Sequence, residues 1–183
     1  MELKAYLAGP DVFLPNAREH AQRKIEICAR RGIIGCTPLN QDIQRLADMS
    51  DDDFARAIFD KDIAMMEACD IIIANLTPFG GASADAGTLI EVGWFLGKGK
   101  PIFGYSNTPE NFEARMRRQL GATQTDFDIE GFHLPDNLMI VGAVKNSGYP
   151  IFLPTDGKAR GLDALDVFET CAEAAARYFA GQT

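Results

Sequence analysis

The sequence is poor in the residues that most often bind metal ions. It has two histidines, and no two of its four cysteines are spaced as C-x-x-C, so no zinc site is expected. The thiols are expected to be reduced and buried, two of them in predicted helices and two at the edges of predicted strands. They belong to Cys28, Cys36, Cys69 and Cys171.

Long apolar runs and an excess of basic charge are missing as well. No apolar run approaches the ~20 residues of a membrane span, and the opening MELKAYLAGP begins a strand without the apolar region of a signal peptide. We therefore expect a cytoplasmic protein without a membrane partner. Lys and Arg total 18 against 26 Asp and Glu, and this formal net charge of −8 argues against a nucleic-acid partner. It leaves room for a small anionic or neutral ligand in a local pocket.

What is present is the composition of a globular protein. Of the 183 residues, 46% are hydrophobic and 24% are charged, values that exclude disorder and a disulfide scaffold. This length suits one domain, which can bury roughly two-thirds of the surface of the unfolded chain. Because the sequence has no internal repeat and no linker, residues 1–183 are expected to form a single domain.

Short apolar runs alternate along the chain with segments of helical periodicity. The run at 70–76 is apolar on both sides, as is typical of a central parallel strand. This alternation predicts an α/β fold with a doubly wound, flavodoxin-like or Rossmann-like sheet of five mainly parallel strands and helices on both faces. The predicted strands are 3–8, 33–36, 70–76, 101–105 and 149–153. Helices are predicted between the first four strands and at 111–120 and 162–179, whereas 137–144 is either a short helix or irregular.

Ligands in such folds lie beyond the carboxyl ends of the strands. Three predicted loops occupy that edge, at 9–15, 38–42 and 77–85. The third loop contains a glycine pair at 80–81, but neither G-x-G-x-x-G nor the P-loop pattern is present. A phosphate site in this loop is therefore poorly supported.

The most informative helix is AGTLIEVGWFLG (86–97), in which Glu91 is the only ionisable residue. A helix that is apolar on nearly every side is expected to be buried, and Glu91 with it. Burying a carboxylate costs several kcal/mol unless the group is paired, so a protein that tolerates it supplies a partner or uses the group. Glu91 also lies near the start of its helix, on the ligand-binding edge. It is therefore either a site residue or a glutamate with a basic partner or a small solvent window.

Four other residues on this edge are open to two interpretations each. Asp85, six residues before Glu91, is either a helix N-cap or a second carboxylate of the kind that glycosidic chemistry needs. Asp62, on the preceding helix, is either a site residue or a solvated surface acid. Tyr6, on the first strand, serves either catalysis or packing. Phe13 is either a stacking surface for a planar base or a loop anchor.

Taken in order, these residues resemble the nucleoside 2-deoxyribosyltransferases. The similarity begins at YLAGPDVF (6–13), includes Asp62, and is densest in CDIIIANLTPF (69–79) and DAGTLIEVG (85–93). It returns in short motifs, which are EGF (130–132), LP (134–135) and NLM (137–139). The resemblance covers about residues 3–144, and it is the order of the motifs that makes it specific.

The resemblance implies roles for the catalytic residues. Glu91 matches the nucleophile that attacks the anomeric carbon of a 2′-deoxynucleoside and forms a covalent deoxyribosyl-enzyme. Tyr6 matches a tyrosine that orients this nucleophile. Asp85 and Asp62 match carboxylates at the nucleobase, one of which protonates the departing base.

It also implies contacts with the substrate and with a second subunit. Phe13, in the loop that begins at Gly9, matches a residue that packs against base or sugar. Asn137 matches a residue that reaches the sugar in the neighbouring subunit's site, which implies a homo-oligomer. The base-contacting loop of the family is hard to align at 39–42, so the base preference stays open.

The implied reaction moves 2-deoxyribose from one nucleobase to another with retention of configuration, as part of nucleoside salvage. Its partners are a 2′-deoxynucleoside donor and a free nucleobase acceptor. Because a sugar without a 2′-hydroxyl forms its cation readily, neither a metal nor a cofactor is expected. Water in place of the acceptor base would give hydrolysis.

Two other functions fit part of the pattern. A related hydrolase of 2′-deoxynucleoside 5′-monophosphates resembles the chain around Glu91, but its first loop is rich in serine and arginine. The corresponding loop here, GPDVFLP (9–15), has Asp11 and no basic group, and an aspartate would repel a phosphate dianion. A binding module without catalysis would keep Phe13 and the loops but leave Glu91 without a task.

Overall fold

In the part of the chain that the computed structural model describes (residues 2–39, 45–46, 48–121 and 128–181), four strands form one parallel sheet. They are β1 (Leu3–Ala8), β2 (Ile33–Cys36), β3 (Ile71–Asn75) and β4 (Ile102–Tyr105). The order across the sheet is β2-β1-β3-β4, and all three neighbouring pairs are parallel. The predicted doubly wound α/β fold is confirmed, with strand bounds within one residue of those expected.

The predicted fifth strand, at 149–153, is reduced to a parallel bridge between Tyr105 and Phe152. Phe152 N donates to Gly104 O at 2.9 Å, and Ser106 N donates to Phe152 O at 2.8 Å. Prolines stand on both sides of Phe152, at 150 and 154. Because proline has no N–H to donate, the ladder cannot continue in either direction. The segment therefore extends the sheet beside β4 without forming a strand.

The helices begin and end close to the expected positions, except that the last one, expected from 162, begins at Asp166. Ser50, Asp85, Asn111 and Asn137 each cap a helix by accepting a backbone N–H with the side chain, as these residue types favour. The segment at 137–144, which the sequence left open, is helical. The helices are α1 (Ala17–Ala29), α2 (Asp51–Ala68), α3 (Ala86–Gly97), α4 (Phe112–Leu120), α5 (Leu138–Lys145) and α6 (Asp166–Ala180), and a short 3₁₀ turn spans Pro10–Phe13.

The sheet is covered on both faces. Ala5 and Leu7 of β1 face a core shared with α1 and α6, whereas Tyr6 and Ala8 face a core shared with α2, α3 and α5. This alternation explains why the strands are apolar on both sides. No helix in the described ranges is long and apolar enough to cross a membrane.

In helix α1 two polar side chains are buried, and in helix α3 the burial is less than the sequence predicts. Helix α1 buries His20 and Lys24, whereas Ile25 is only half-buried, because the two polar side chains have a carboxylate partner in the core (described below). Helix α3 is not buried on all sides, since Ile90 is 70% exposed and Leu96 is 38% exposed. Helix α3 thus has apolar side chains that the rest of its own chain leaves exposed.

The strand order places a switch point between β1 and β3. From β1 the chain crosses to β2 on one side, and from β2 it returns to β3 on the other. In sheets of this order the ligand crevice opens between the carboxyl ends of these two strands. The loops after β1 and β3 meet there, as predicted. Of the predicted loop at 38–42, residues 40–42 lie outside the described residues.

Candidate active site

A cleft of about 320 Å³ opens at the carboxyl ends of β1 and β3. The turn after β1, one side of α2 and the first two turns of α3 form its walls. The residues that line it are Gly9, Val12, Phe13, Pro38, Ile58, Asp62, Asp85, Gly87, Thr88 and Glu91. Among these lining residues, all from the described ranges, are three carboxylates and no basic side chain.

Glu91 is held by one short hydrogen bond. The Tyr6 hydroxyl donates to Glu91 Oε1 at 2.6 Å. Tyr6 is fully buried on the α3 side of the sheet, and its ring lies 6.2 Å from that of Phe95. A rigid strand and a packed ring therefore fix one oxygen of Glu91.

Among the described residues, the charges that act on Glu91 are those of other carboxylates. Burial raises the pKa of Glu91, the Tyr6 hydrogen bond lowers it, and the charges of Asp62 and Asp85 raise it further, to about 7. Burial and the negative charge of Glu91 raise the pKa of Tyr6 well above its ordinary value. Tyr6 therefore stays protonated and remains the donor in this pair.

Asp85 is an N-cap, the first of its two interpretations, and it also lines the cleft. As the N-cap of α3, its Oδ2 accepts from Thr88 N at 2.9 Å and from Thr88 Oγ1 at 3.1 Å. Because it precedes the regular helix, it faces the same cleft as Glu91. The cap fixes the carboxylate of Asp85 at the cleft wall.

Asp62 completes a group of three carboxylates. It lies on α2, one helical turn after Ile58, which also lines the cleft. Its charge raises the pKa values of both Glu91 and Tyr6. In the described ranges no group of three or more acidic, histidine or cysteine side chains is arranged to hold a metal ion.

The aromatic residue of the first loop stands at the mouth of the cleft. Phe13 is 67% exposed, and its ring stacks on that of Phe79 with centroids 5.6 Å apart and an interplanar angle of 13°. An exposed ring that lines a cleft can stack on a planar ligand.

Gly9, where β1 ends, allows the chain to turn into this loop. Its φ of 152° lies in the region that favours glycine, and a Cβ there would stand 2.3 Å from Asp11 Oδ1 and 2.6 Å from Asn75 Cβ. No larger residue fits at this position without displacing the loop that lines the cleft.

A buried polar network lies behind the turn. Asp11 points away from the cleft, where its Oδ2 accepts from Lys24 Nζ at 2.7 Å and its Oδ1 accepts from Asn75 Nδ2 at 3.0 Å. His20 Nε2 lies 3.4 Å from the same carboxylate. Burial raises the pKa of Asp11, but Lys24, His20 and Asn75 together outweigh it and hold this pKa well below its usual range.

This network corrects the expectation that Asp11 would repel a phosphate in the cleft, since Lys24 neutralises it inside the core. Sequence reasoning missed the network because His20 and Lys24 occur in a helix rich in charged residues, where they look solvated. No spacing in the sequence distinguishes them.

The structure brings six of the seven predicted site residues together. Five line the cleft, and Tyr6 reaches Glu91 from the sheet. Asn137 does not line the cleft of its own chain: its Oδ1 accepts from Met139 N at 3.0 Å and its Nδ2 donates to Glu130 Oε1. Its role toward a neighbouring subunit stays a prediction.

Two other lining residues could have been found from spacing. Ile58 lies four positions before Asp62 on one helix, so that both share a face. Thr88 is three positions after the predicted N-cap Asp85, where the capped N–H belongs. Helical periodicity and capping rules would thus have extended the predicted site.

Known proteins resemble the chain in sequence and in fold. The family model for nucleoside 2-deoxyribosyltransferase matches residues 5–139. A 2-desoxiribosyltransferase from Leishmania mexicana is 26% identical, with a TM-score of 0.69 over 96% of this chain and 97% of the other. A conserved protein from Enterococcus faecalis V583 shares the fold, with 19% identity, a TM-score of 0.58 and coverage of 96% and 99%.

A curated relative, an uncharacterized protein of Schizosaccharomyces pombe, is 32% identical over 115 residues. The match covers 61% of this chain, which spans 54% of the length of that relative.

Proposed function

The chain belongs to the nucleoside 2-deoxyribosyltransferase family, and we propose that it moves the 2-deoxyribosyl group of a 2′-deoxynucleoside to a free nucleobase. The observation that carries this proposal is the partly buried Glu91, which has a hydrogen bond from neutral Tyr6 and, among the described residues, no cation beside it. A carboxylate left in this state favours a bond to an electron-poor carbon, because forming that bond removes its charge from a desolvated place.

In the first step, an oxygen of ionised Glu91 attacks the anomeric carbon and the N-glycosidic bond breaks. The departing base takes the electron pair of that bond and a proton from Asp85 or Asp62, whichever carries it. In the second step, a nitrogen of the acceptor base attacks the same carbon and gives its proton to the acid, and Glu91 leaves as a carboxylate. Two inversions at one carbon give retention of configuration.

Tyr6 orients the nucleophile in this scheme. Its hydroxyl holds one oxygen of Glu91 at 2.6 Å, which leaves the other oxygen to face the cleft. The hydrogen bond also favours the ionised form of Glu91, which is the form that attacks. Because Tyr6 stays protonated, it donates to Glu91 throughout the cycle.

Self-association belongs to the same proposal. Ile90 on α3 and Leu138 and Met139 on α5 are 70%, 42% and 69% exposed, and these apolar side chains lie on two helices that pack against each other. A second copy that covers them would also meet Asn137, the residue expected to reach the neighbouring site. Nucleoside salvage is the physiological role that fits such an enzyme.

The test is base exchange. The purified protein is incubated with 2′-deoxyinosine and adenine, with and without cytosine, and the products are separated by chromatography. We expect deoxyadenosine, and deoxycytidine in addition if pyrimidines are accepted. Hypoxanthine and free deoxyribose without a new nucleoside would instead indicate a hydrolase. No product from this donor, from thymidine or from 5′-monophosphates would contradict the proposal and favour a binding module.

A further inference from the structure

A second buried ion pair lies on the other side of the site, and its acidic member contacts two segments at once. Asp136 is 1% exposed. Its Oδ1 accepts from Ser83 Oγ at 2.6 Å and from Asn137 N at 2.8 Å, and its Oδ2 accepts from Ala84 N at 3.1 Å. One carboxylate thus joins the loop after β3 to the segment before α5.

The basic member joins the same two segments. Arg115 of α4 is 4% exposed, and its guanidinium lies 3.7 Å from Asp136 Oδ2. Its Nε donates to Ala82 O at 2.7 Å, and another nitrogen donates to Pro135 O at 2.7 Å. The side chains of Asp136 and Arg115 each form hydrogen bonds to both segments. The pair therefore holds residues 82–84 and 135–137 against each other.

Each segment leads directly into a predicted site residue. Residues 82–84 precede Asp85, which caps α3 and lines the cleft. Residues 135–137 end at Asn137, which caps α5. A displacement of one segment is transmitted to the other, because a buried ion pair with hydrogen bonds to both resists separation.

We propose that Asp136 is a positioning residue that sets Asp85 and Asn137 together, and thereby links a chain's own site to the residue expected to serve its neighbour's site. The inference rests on the proposed function. Asn in place of Asp136 is the sharpest change, because it keeps the shape but has one acceptor oxygen where the carboxylate has two. An amide cannot accept from Asn137 N, Ser83 and Ala84 N together while facing Arg115.

Two readouts test the proposal in the full chain. The first is hydrogen exchange, in which Asp136→Asn should speed exchange of the Ala84 and Asn137 amides together. The second is deoxyribosyl transfer, for which we expect kcat/KM to fall about 10- to 100-fold because the misplaced groups lie at the reacting centre. The matched control is Ser147→Ala, which removes the 2.6 Å hydrogen bond that Ile102 N donates to Ser147 Oγ. This bond lies at the amino end of β4, opposite the end at which the cleft opens. Ser147→Ala should lower the melting temperature and leave kcat/KM and both amides unchanged.

A double substitution distinguishes a purely structural role of Asp136 from the positioning of Asp85. In a chain that already carries Asp85→Asn, the change Asp136→Asn should cost clearly less of the remaining kcat/KM than in the wild-type chain, because one group that it positions is gone. An equal further loss would overturn the proposal. If Asp136→Asn does not fold, Ser83→Ala removes one bond to the same carboxylate and should give the same pattern with a smaller effect.

The remaining outcomes distinguish the two proposals. A wild-type chain that exchanges no base refutes the proposed function. A wild-type chain that exchanges bases, beside a folded Asp136→Asn variant with the wild-type rate and unchanged amides, refutes only the positioning role.

Discussion

Two carboxylates near the turn after β1, the buried Asp11 and the partly buried Glu91, have opposite surroundings. Asp11 has a lysine at 2.7 Å and an amide at 3.0 Å, and its pKa lies well below the usual range. Glu91 has a neutral hydroxyl and two like charges, and its pKa is raised to about 7. Burial alone therefore does not distinguish a site residue from a structural one. In the described part of the chain, the neighbouring charges distinguish the two groups, since Asp11 has a lysine beside it and Glu91 has two carboxylates.

The largest effect should come from removing the nucleophile. Glu91→Gln keeps the shape and loses the ionised oxygen, so we expect base exchange to fall at least about 10³-fold, as when a covalent nucleophile is lost. Circular dichroism and the oligomeric state should match those of the wild-type chain. A folded variant with a near-normal rate would refute the mechanism.

Breaking the ion pair between Asp11 and Lys24 should lower the stability of the fold before it affects activity. Lys24→Met leaves Asp11 charged and buried, which we expect to cost about 3–5 kcal/mol in the free energy of unfolding. Urea unfolding measures it. Adding Asp11→Asn in the same chain should recover part of the loss, because no unpaired charge then remains. A Lys24→Met chain as stable as the wild type would mean that the pair contributes nothing.

Replacing the charged Glu91 by a neutral residue should increase the free energy of unfolding, whereas Lys24→Met decreases it. The pKa of Glu91 is raised on folding, from 4.5 to about 7, so its ionisation opposes folding once the pH exceeds the unfolded value. At about pH 8, Glu91→Gln should therefore raise the free energy of unfolding by roughly 3 kcal/mol, and at about pH 5 by much less. Thermal unfolding at both pH values tests this. A destabilised variant at the higher pH would show that Glu91 has a stabilising partner.

The smallest effect concerns the pH profile. Because the ionised form of Glu91 attacks, kcat/KM should rise with pH through about 7 over the range in which the acid at the base keeps its proton. Between about pH 8 and about pH 6 we expect a fall of roughly tenfold, since the ionised fraction falls by that factor. In Tyr6→Phe the limb should move to higher pH, because the hydrogen bond that favours ionisation is gone. If the pH dependence of kcat/KM is the same in Tyr6→Phe as in the wild-type chain, Tyr6 does not act on the group that titrates.

Burial patterns predicted the sheet well, because strands buried on both faces are continuous apolar runs. Every residue of β3 and β4 is buried, and the bounds of both strands lie within one residue of such runs. The segment at 149–153 looked like a strand because Ile151 and Phe152 are apolar, but its flanking prolines interrupt the hydrogen-bond ladder. A pattern of apolar residues indicates which residues are buried, but it does not show that a proline lacks the N–H that a strand at this position would need.

The site was predicted in part. The partial burial of Glu91 followed from its apolar helix, and the meeting of Glu91 with Asp85 followed from the family resemblance. What sequence could not supply were contacts between distant segments, such as Asp11 with Lys24 and Asn75. Charged residues on a helix look the same whether they face water or a buried partner.

The most direct test of the central claim is to identify the residue that carries the sugar. The protein is mixed briefly with 2′-deoxyinosine without an acceptor base, denatured in acid and digested, and its peptides are analysed by mass spectrometry. The account predicts a deoxyribosyl group on Glu91, and none in Glu91→Gln. A deoxyribosyl group on Asp62 or Asp85 instead would contradict it.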